Sequence, residues 1–314
     1  MKLKWLALGT FLMTLLGCNS SDGSDNTALV SFSVSDAPVE DTTEVVVAFD
    51  ALELIHENGH RYFLNVVDTN EHSDYQQIDL LEHQGSNSKL ILSDERIAKG
   101  HYKNLIIHIK PNADLNWVMA NGQHDLKVPS NKLQLGSFEV TEETVQSFTI
   151  EFDLRQSLVL RGNNTNNSGY NLKPQGVKIV DNGSATSIWG NVEPALFSEG
   201  EACSDDGGNV VYLYQGHDHN AAALVDNIDT LDDDYLNNSE LPEGFVVPYA
   251  SVSVMENGDY YFGFIPSGNY TIAFTCSAYV DDPIQYDQIK IANPNEQSAE
   301  ITTLPIQEYQ HNFY

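Results

Sequence analysis

Along this chain the apolar positions recur mostly at every second residue, not at the three-and-four spacing of a helix, and that pattern predicts strands. "ALVSFSV" sets Val30, Phe32 and Val34 against Leu29, Ser31 and Ser33. "QSFTIEFDL" repeats the pattern with Phe148, Ile150 and Phe152, and "HYKNLIIHI" repeats it with Leu105, Ile107 and Ile109. "EVVVAFDALELI", Glu44 to Ile55, is a β-branched and aromatic run. "NWVMANGQHDLKV" places the turn dipeptide Asn121-Gly122 between two strand-like arms, and "GYNLKPQGVKIV" supplies a closing strand. Short helical turns fit near 79–82 and 154–159, and no long amphipathic helix is visible. The expectation is an all-β protein built as β-sandwiches.

The composition changes at Asp181-Asn182-Gly183-Ser184, which divides the body into one β-sandwich over 28–183 and a second over 184–314. In the second, "YASVSVMENGDYYFGFIPSGNYTIAFTCSA" places Asn257-Gly258, the preferred dipeptide of a tight hairpin, between Val252/Val254 and Tyr260/Phe262/Phe264. Pro266 to Asn269 makes the next turn. Tyr270, Ile272, Phe274 and Cys276 then share one parity, so Cys276 sits with core residues. Gly216 to Gly244 is polar and acidic and reads as an inserted loop.

The N-terminus gives an address. Lys2 and Lys4 precede a short apolar stretch, Trp5 to Leu16, of the length of a secretory signal and too short to span a bilayer. Leu15-Leu16-Gly17-Cys18 resembles a bacterial lipobox, in which the cysteine is acylated and becomes the mature N-terminus; the plain alternative is an ordinary signal with an incidental cysteine. Residues 1–17 are thus expected to be a signal peptide, and 18–27 a lipidated flexible tether, polar and without apolar period. Asn19 in place of an aspartate favours the outer membrane by analogy. In an exported, oxidising compartment the remaining pair, Cys203 and Cys276, is expected to form a disulfide.

Two families resemble parts of the chain. The lipobox followed by "VSFSVSDAPVEDTTEVVVAFDALEL", with "IDLLEH", "RIAKGHYKNLIIHI" and "FTIEFDLRQSLV…YNLKPQGVKIV", resembles the bacterial lipoprotein family known as domain of unknown function 4382, over about Ala28 to Asp181. That resemblance implies no activity. Gly190, Val192, Tyr260, Phe262, Ile265-Pro266, Gly268-Asn269-Tyr270 and Ile272 resemble the transthyretin-like fold of carboxypeptidase regulatory modules, which implies an accessory, non-catalytic role.

Charge narrows the partners. The formal charge is -30, from 45 acidic and 15 basic residues, and such a surface repels phosphate backbones, so nucleic acid is excluded as a partner. "HENGH", His56 to His60, matches the zinc-peptidase motif by letter, but a strand runs into it and Asn58-Gly59 favours a tight turn. A two-residue hairpin pairing Glu57 with His60 would send the two imidazoles to opposite faces of an exposed tip. "GHDH" makes His217, Asp218 and His219 weak metal candidates. The carboxylate-rich stretch from Asp226 to Glu243 could attract calcium, although it fails the EF-hand register and reads first as a solvated loop. Asp36, at a strand end before Ala37-Pro38, reads as a turn or cap residue. No Walker A, G-x-S-x-G or G-x-G-x-x-G motif is present, and no cofactor is implied.

These features favour a non-enzymatic cell-envelope lipoprotein, held to the membrane by its N-terminal lipid, that binds or supports an envelope protein or glycan. A carbohydrate-binding or adhesion lipoprotein is the second reading, which a row of exposed aromatics on one sheet would favour. A metal-dependent hydrolase using His56, Glu57 and His60 is the third, and would need helix over Ile55 to Tyr62.

Overall fold

The computed structural model describes residues 26–37, 42–68, 73–141, 144–163, 166–198, 203, 208–237 and 240–314. Cys18 and the stretches around it lie outside these residues. The protein is all-β, as the alternation predicts. In its first half the strands are β1 (Thr27–Ala37), β2 (Glu44–His56), β3 (Arg61–Asn65), β4 (Gln76–Asp79), β5 (Lys89–Ala98), β6 (Gly100–Ile109) and β7 (Trp117–Met119). There follow β8 (Gln123–Lys127), β9 (Lys132–Gln134), β10 (Phe138–Val140) and β11 (Val145–Asp153). One helical turn, α1 (Leu154–Ser157), then leads to β12 (Leu158–Asn163), β13 (Asn166–Leu172) and β14 (Val177–Asp181).

One sheet has the order β14-β11-β1-β5, with β1 and β11 parallel. The facing sheet runs β10-β6-β2-β7-β8-β13-β12, with β3 and β4 also paired to β2 and β9 to β6. Val30, Phe32, Val34, Phe148, Ile150 and Phe152 from the first sheet meet Leu105, Ile107 and the β2 residues of the second in one buried core. The β2 run is buried almost throughout, and a bulge interrupts it. Phe49 pairs with Ile109 but Ala51 with His108, so the core face passes from Val45, Val47 and Phe49 to Leu52 and Leu54.

The second half holds β15 (Ala185–Asn191), β16 (Val210–Gln215), β17 (Ala250–Ser253), β18 (Asp259–Pro266), β19 (Asn269–Thr275), β20 (Ser298–Thr302) and β21 (Glu308–Gln310). They form two sheets, β18-β15-β21 and β17-β16-β19-β20. Ile188, Tyr260 and Phe262 from one sheet and Val211, Leu213, Ile272 and Phe274 from the other share a core.

Two turns behave differently from the hairpin reading. Asn257-Gly258 does form a tight turn, with the Gly258 amide 2.8 Å from the Met255 carbonyl. Yet β17 pairs with β16, and β18 with β15, so the turn carries the chain across the sandwich. Glycine is required there: φ is +89°, and a Cβ would lie 2.3 Å from the Val192 carbonyl oxygen. The turn after β18 likewise changes sheet, since β19 pairs with β16 and β20. Alternation reads the same whether the next strand is a sheet partner or lies opposite in the sandwich.

The insertion after β16 also departs from expectation. It is not a solvated loop throughout, because β16 buries both faces. Val211 and Leu213 point into the sandwich, while Val210, Tyr212 and Tyr214 pack outside it against Leu224, Ala278, Ile289 and Ile291. Val225, Asp226 and Asn227 are buried as well.

Cys203 and Cys276 are joined by a disulfide with Cα atoms 5.1 Å apart, which ties the loop before β16 to the end of β19. The bond closes a separation of 73 residues. In the chain-entropy account such a loop contributes about 4 kcal/mol. Reducing the bond in folded protein is therefore expected to lower Tm by roughly 10 °C, read as a thermal melt with and without reductant. An unchanged melting point with both thiols alkylated would contradict this.

Candidate functional site

The halves are joined without a spacer. β14 ends at Asp181 and β15 begins at Ala185; the Gly183 amide donates to Asp181 Oδ1 at 2.9 Å and the Ser184 amide to the Asp181 carbonyl at 3.0 Å. The end of β11 then meets the second half in a buried polar junction. Asp153 caps α1 by accepting the Gln156 amide through Oδ1 (3.2 Å), and accepts the Ser251 amide of β17 through Oδ2 (2.7 Å). Gln156 donates to Asn227 Oδ1 (3.2 Å) and to the Pro248 carbonyl (3.3 Å). Arg155 reaches Asp281 at 2.8 Å, with both side chains almost wholly enclosed. Asp281 also accepts the Tyr212 hydroxyl at 2.7 Å and the Asn227 side-chain amide at 2.8 Å. At the rim, Lys173 holds Asp232 (2.6 Å) and Asp234 (3.0 Å).

Burial perturbs the ionisable groups here. It pushes the Glu151 carboxyl up to about 8, against the Ser35 hydroxyl and with the help of Asp153. It pushes Asp153 up to about 6, with the Lys178 ammonium and the Ser251 amide pulling the other way. Asp36 is raised well above the usual carboxylate range by burial and then by Glu151 and Asp153, with Gln84 and the Ala37 backbone pulling the other way. Asp281 is raised by burial although Arg155 opposes it. Lys178 is lowered by burial, against the pull of Asp153 and Glu151.

Above this floor opens a cleft of about 550 Å³ lined from both halves, by Gln156, Gln175 and Lys178 on one side and Gln215, Phe245 and Tyr249 on the other. The Lys178 ammonium lies 4.9 Å from the centre of the Tyr249 ring and 3.3 Å from Gln156 Oε1. Phe245 and Val247 stand exposed at the lip. A second cleft, of about 460 Å³, lies within the first half near Lys110 and Asn131. Its charged groups are largely paired, Lys110 with Asp74 and Asp125 with Arg161.

The residues singled out in the sequence fall elsewhere. "HENGH" is the end of β2 and a turn, not a helix. The loop is one residue longer than expected. The His56 amide donates to the His60 carbonyl and Ile55 faces Arg61, so His56 opposes His60 across the hairpin, and Gly59 takes φ +88°. His56 is buried rather than exposed, its Nε2 3.1 Å from the Lys99 carbonyl oxygen and its ring edge-on to Tyr102. His60 is exposed and packs on Tyr62.

His217 Nε2 lies 2.9 Å from the Ile301 carbonyl oxygen, His219 Nε2 lies 2.7 Å from that of Gln215, and the Asp218 amide donates to Glu300. Among the described residues no three His, Cys, Asp or Glu side chains are grouped so as to hold a metal. In the acidic stretch, Asp226 is buried and accepts the Ile289 amide (2.8 Å), while Asp232 and Asp234 are taken by Lys173. Asp36 lies within β1, paired with Phe152, and so is a core residue rather than a turn cap.

Sequence reasoning passed over Glu151, Asp153, Arg155, Lys178 and Asp281. Their signal is faint: in "FTIEFDL" the charged residues fall on the parity that a lone sandwich would turn to water.

The model of the family described as Domain of unknown function (DUF4382) matches residues 27–174, in line with the resemblance read in the residues. No curated protein matches the chain. Several solved structures overlap it weakly. The Bacillus anthracis TIE protein is 11% identical with TM-score 0.20, over 91% of this chain and 33% of its own. A Streptococcal ancillary pilin is 13% identical with TM-score 0.21, over 91% and 68%. BcpA, the major pilin subunit of Bacillus cereus, is 9% identical with TM-score 0.20, over 91% and 98%. The chain thus spans about a third of the length of the first, and overlaps at these scores carry no argument about fold or function.

The raised carboxyls fix a pH dependence. The folded values of Glu151, about 8, and Asp153, about 6, exceed the unfolded value near 4, so through these two groups the native state holds more protons between about pH 4 and 8. Their contribution to stability is therefore expected to fall as pH rises through that window. Thermal melts from pH 5 to 9 should show this decline, and Glu151→Gln should flatten its upper part. Arg155→Met leaves Asp281 enclosed without its cation and is expected to cost about 3–5 kcal/mol, read by chemical denaturation.

Proposed function

We propose that this chain is a lipid-anchored, non-catalytic binding protein of the bacterial cell envelope, facing its ligand with the junction cleft. The observation that carries the reading is Lys178. Its ammonium lies in a cleft lined by both halves, and among the described residues Gln156 Oε1, at 3.3 Å, is the one acceptor it meets. Clefts between modules that combine an apolar lip with a few convergent polar groups are the usual seats of ligands. Asp153 beneath it is occupied structurally: one oxygen caps α1 through the Gln156 amide and the other holds the second half through the Ser251 amide. That supports a scaffold rather than an acid–base pair. His56, turned against the Lys99 carbonyl, likewise supports a structural reading of "HENGH".

Residues 12–27 support the address. The apolar stretch, Leu15-Leu16-Gly17-Cys18 and the polar run after it fit an acylated cysteine on a tether, and Asn19 fits the outer membrane.

Two measurements test the proposal. Cys18→Ser is expected to move the protein from the membrane pellet to the soluble fraction, and attachment unchanged by that substitution would refute the anchor. A benzophenone side chain at Val247 of the anchored protein is expected to give one defined adduct in intact cells, lost with Lys178→Met. No adduct, or one indifferent to Lys178→Met, would refute the cleft as the ligand seat.

A further inference from the structure

The outer face of the sheet β18-β15-β21 carries an aromatic pair that the core does not use. Strand parity sends Ile188, Tyr260 and Phe262 inward, where they are buried. The alternate residues Trp189 and Tyr261 face outward and stand directly opposite each other across β15 and β18. On the other side of Trp189, in the same row, is Gln310 of β21; one step along, Ser187 opposes Glu308. Trp189 is 36% exposed, a large value for an indole in the middle strand of a sheet.

We propose that this face is a carbohydrate-binding platform for a neutral polysaccharide chain, separate from the junction cleft. Among the described residues the Trp189 indole N–H, the Tyr261 hydroxyl and the side chains of Gln310 and Glu308 make no hydrogen bond, so the exposed Trp189 ring and the half-buried Tyr261 ring share a face with donors and acceptors without partners. Aromatic rings of this kind offer an apolar face and a polar edge together. A sugar ring presents the complement, a C–H face ringed by hydroxyls. Neighbouring strands lie about 4.8 Å apart, so the row Tyr261–Trp189–Gln310 makes a flat strip across the strands, suited to an extended chain rather than to a compact ligand.

The strip is also pre-ordered. The Gly85 backbone, with φ +68°, packs against Tyr261 so closely that a Cβ there would lie 2.9 Å from ring Cδ1. Holding a ring in place before binding lowers the ordering cost of binding.

Charge selects the class of glycan. Residues 184–314 contain one basic residue, Lys290, and 21 acidic ones. An anionic polymer is repelled from such a surface. A basic peptide would be attracted in general, but the row itself is uncharged. Of the nearest carboxylates, Asp259 is held by Asn191 and Asn257, which leaves Glu308 as a single acceptor suited to sugar hydroxyls.

The test uses the full anchored chain in lipid nanodiscs carrying Trp117→Phe, which leaves Trp189 as the one tryptophan beyond residue 18. The probes are hydroxyethylcellulose, mixed-linkage β-glucan, galactomannan and dextran, with alginate as the anionic probe and polylysine as the basic one. At least one neutral polymer is expected to shift Trp189 emission and to retard the protein in an affinity gel. Trp189→Ala and Tyr261→Ala are each expected to weaken retardation at least tenfold, Gln310→Ala several-fold, and Trp189→Phe less than threefold. Lys178→Met should leave retardation unchanged, which separates this face from the cleft. The platform is overturned if no neutral polymer binds, if only polylysine or alginate binds, or if binding survives Trp189→Ala with the fold intact. Should Trp189→Ala fail to fold, Gln310→Ala and Tyr261→Ala decide by the same criterion.

Discussion

The Asp153 carboxylate is the contact on which the arrangement of the two halves depends. It ends β11 by capping α1 and, with its other oxygen, takes the Ser251 amide of β17. A buried amide left without an acceptor is costly, so separating the halves would strip the Ser251 amide of its acceptor. The cap also fixes where α1 points. Arg155 and Gln156 of α1 thereby reach Asp281, Asn227 and Pro248, and the floor of the cleft follows from that geometry.

Charge makes the dependence one-sided. The second half holds 21 acidic residues and only Lys290 of its own. Its enclosed Asp281 is neutralised by Arg155, and Asp232 and Asp234 by Lys173, all cations of the first half. An isolated second half would keep its disulfide and apolar core but would leave Asp281 with hydroxyl and amide donors and no counter-charge. Buried ion pairs seldom add net stability over apolar packing, yet breaking one leaves an uncompensated charge. The Arg155–Asp281 pair is therefore best understood as a register device that allows one docking of the halves.

Much of the fold was legible because alternation is local. Val30/Phe32/Val34 and Phe148/Ile150/Phe152 read directly as core, and Cys276 read as a core cysteine from its parity with Ile272 and Phe274. What alternation does not encode is which strand comes next to which. Asn257-Gly258 looked like the head of a hairpin and is instead a crossing between sheets. Glu151 and Asp153 were illegible for a related reason: their parity is that of a water-facing surface, and only the docking of residues 250–266 turns it into an interior. In "HENGH" the turn was foreseeable from Asn58-Gly59, but one residue of loop length decided that His56 would oppose His60 and be buried.

The junction also constrains how the cleft can work. Only the turn from Asp181 to Ser184 links the halves in sequence. A Cβ on Gly263 would lie 2.1 Å from the Gly85 carbonyl oxygen, so β18 touches the 84–88 loop backbone to backbone. Hinge closure needs a few residues free to absorb large dihedral changes and an interface that can slide. Here the interface is instead held by directional hydrogen bonds, accepted by Asp153 and donated by Gln156 and Arg155. The cleft and the Trp189 face are then rigid with respect to each other. A ligand at either proposed site would meet a preformed surface, with little reorganisation to offset and no hinge closure to exclude water.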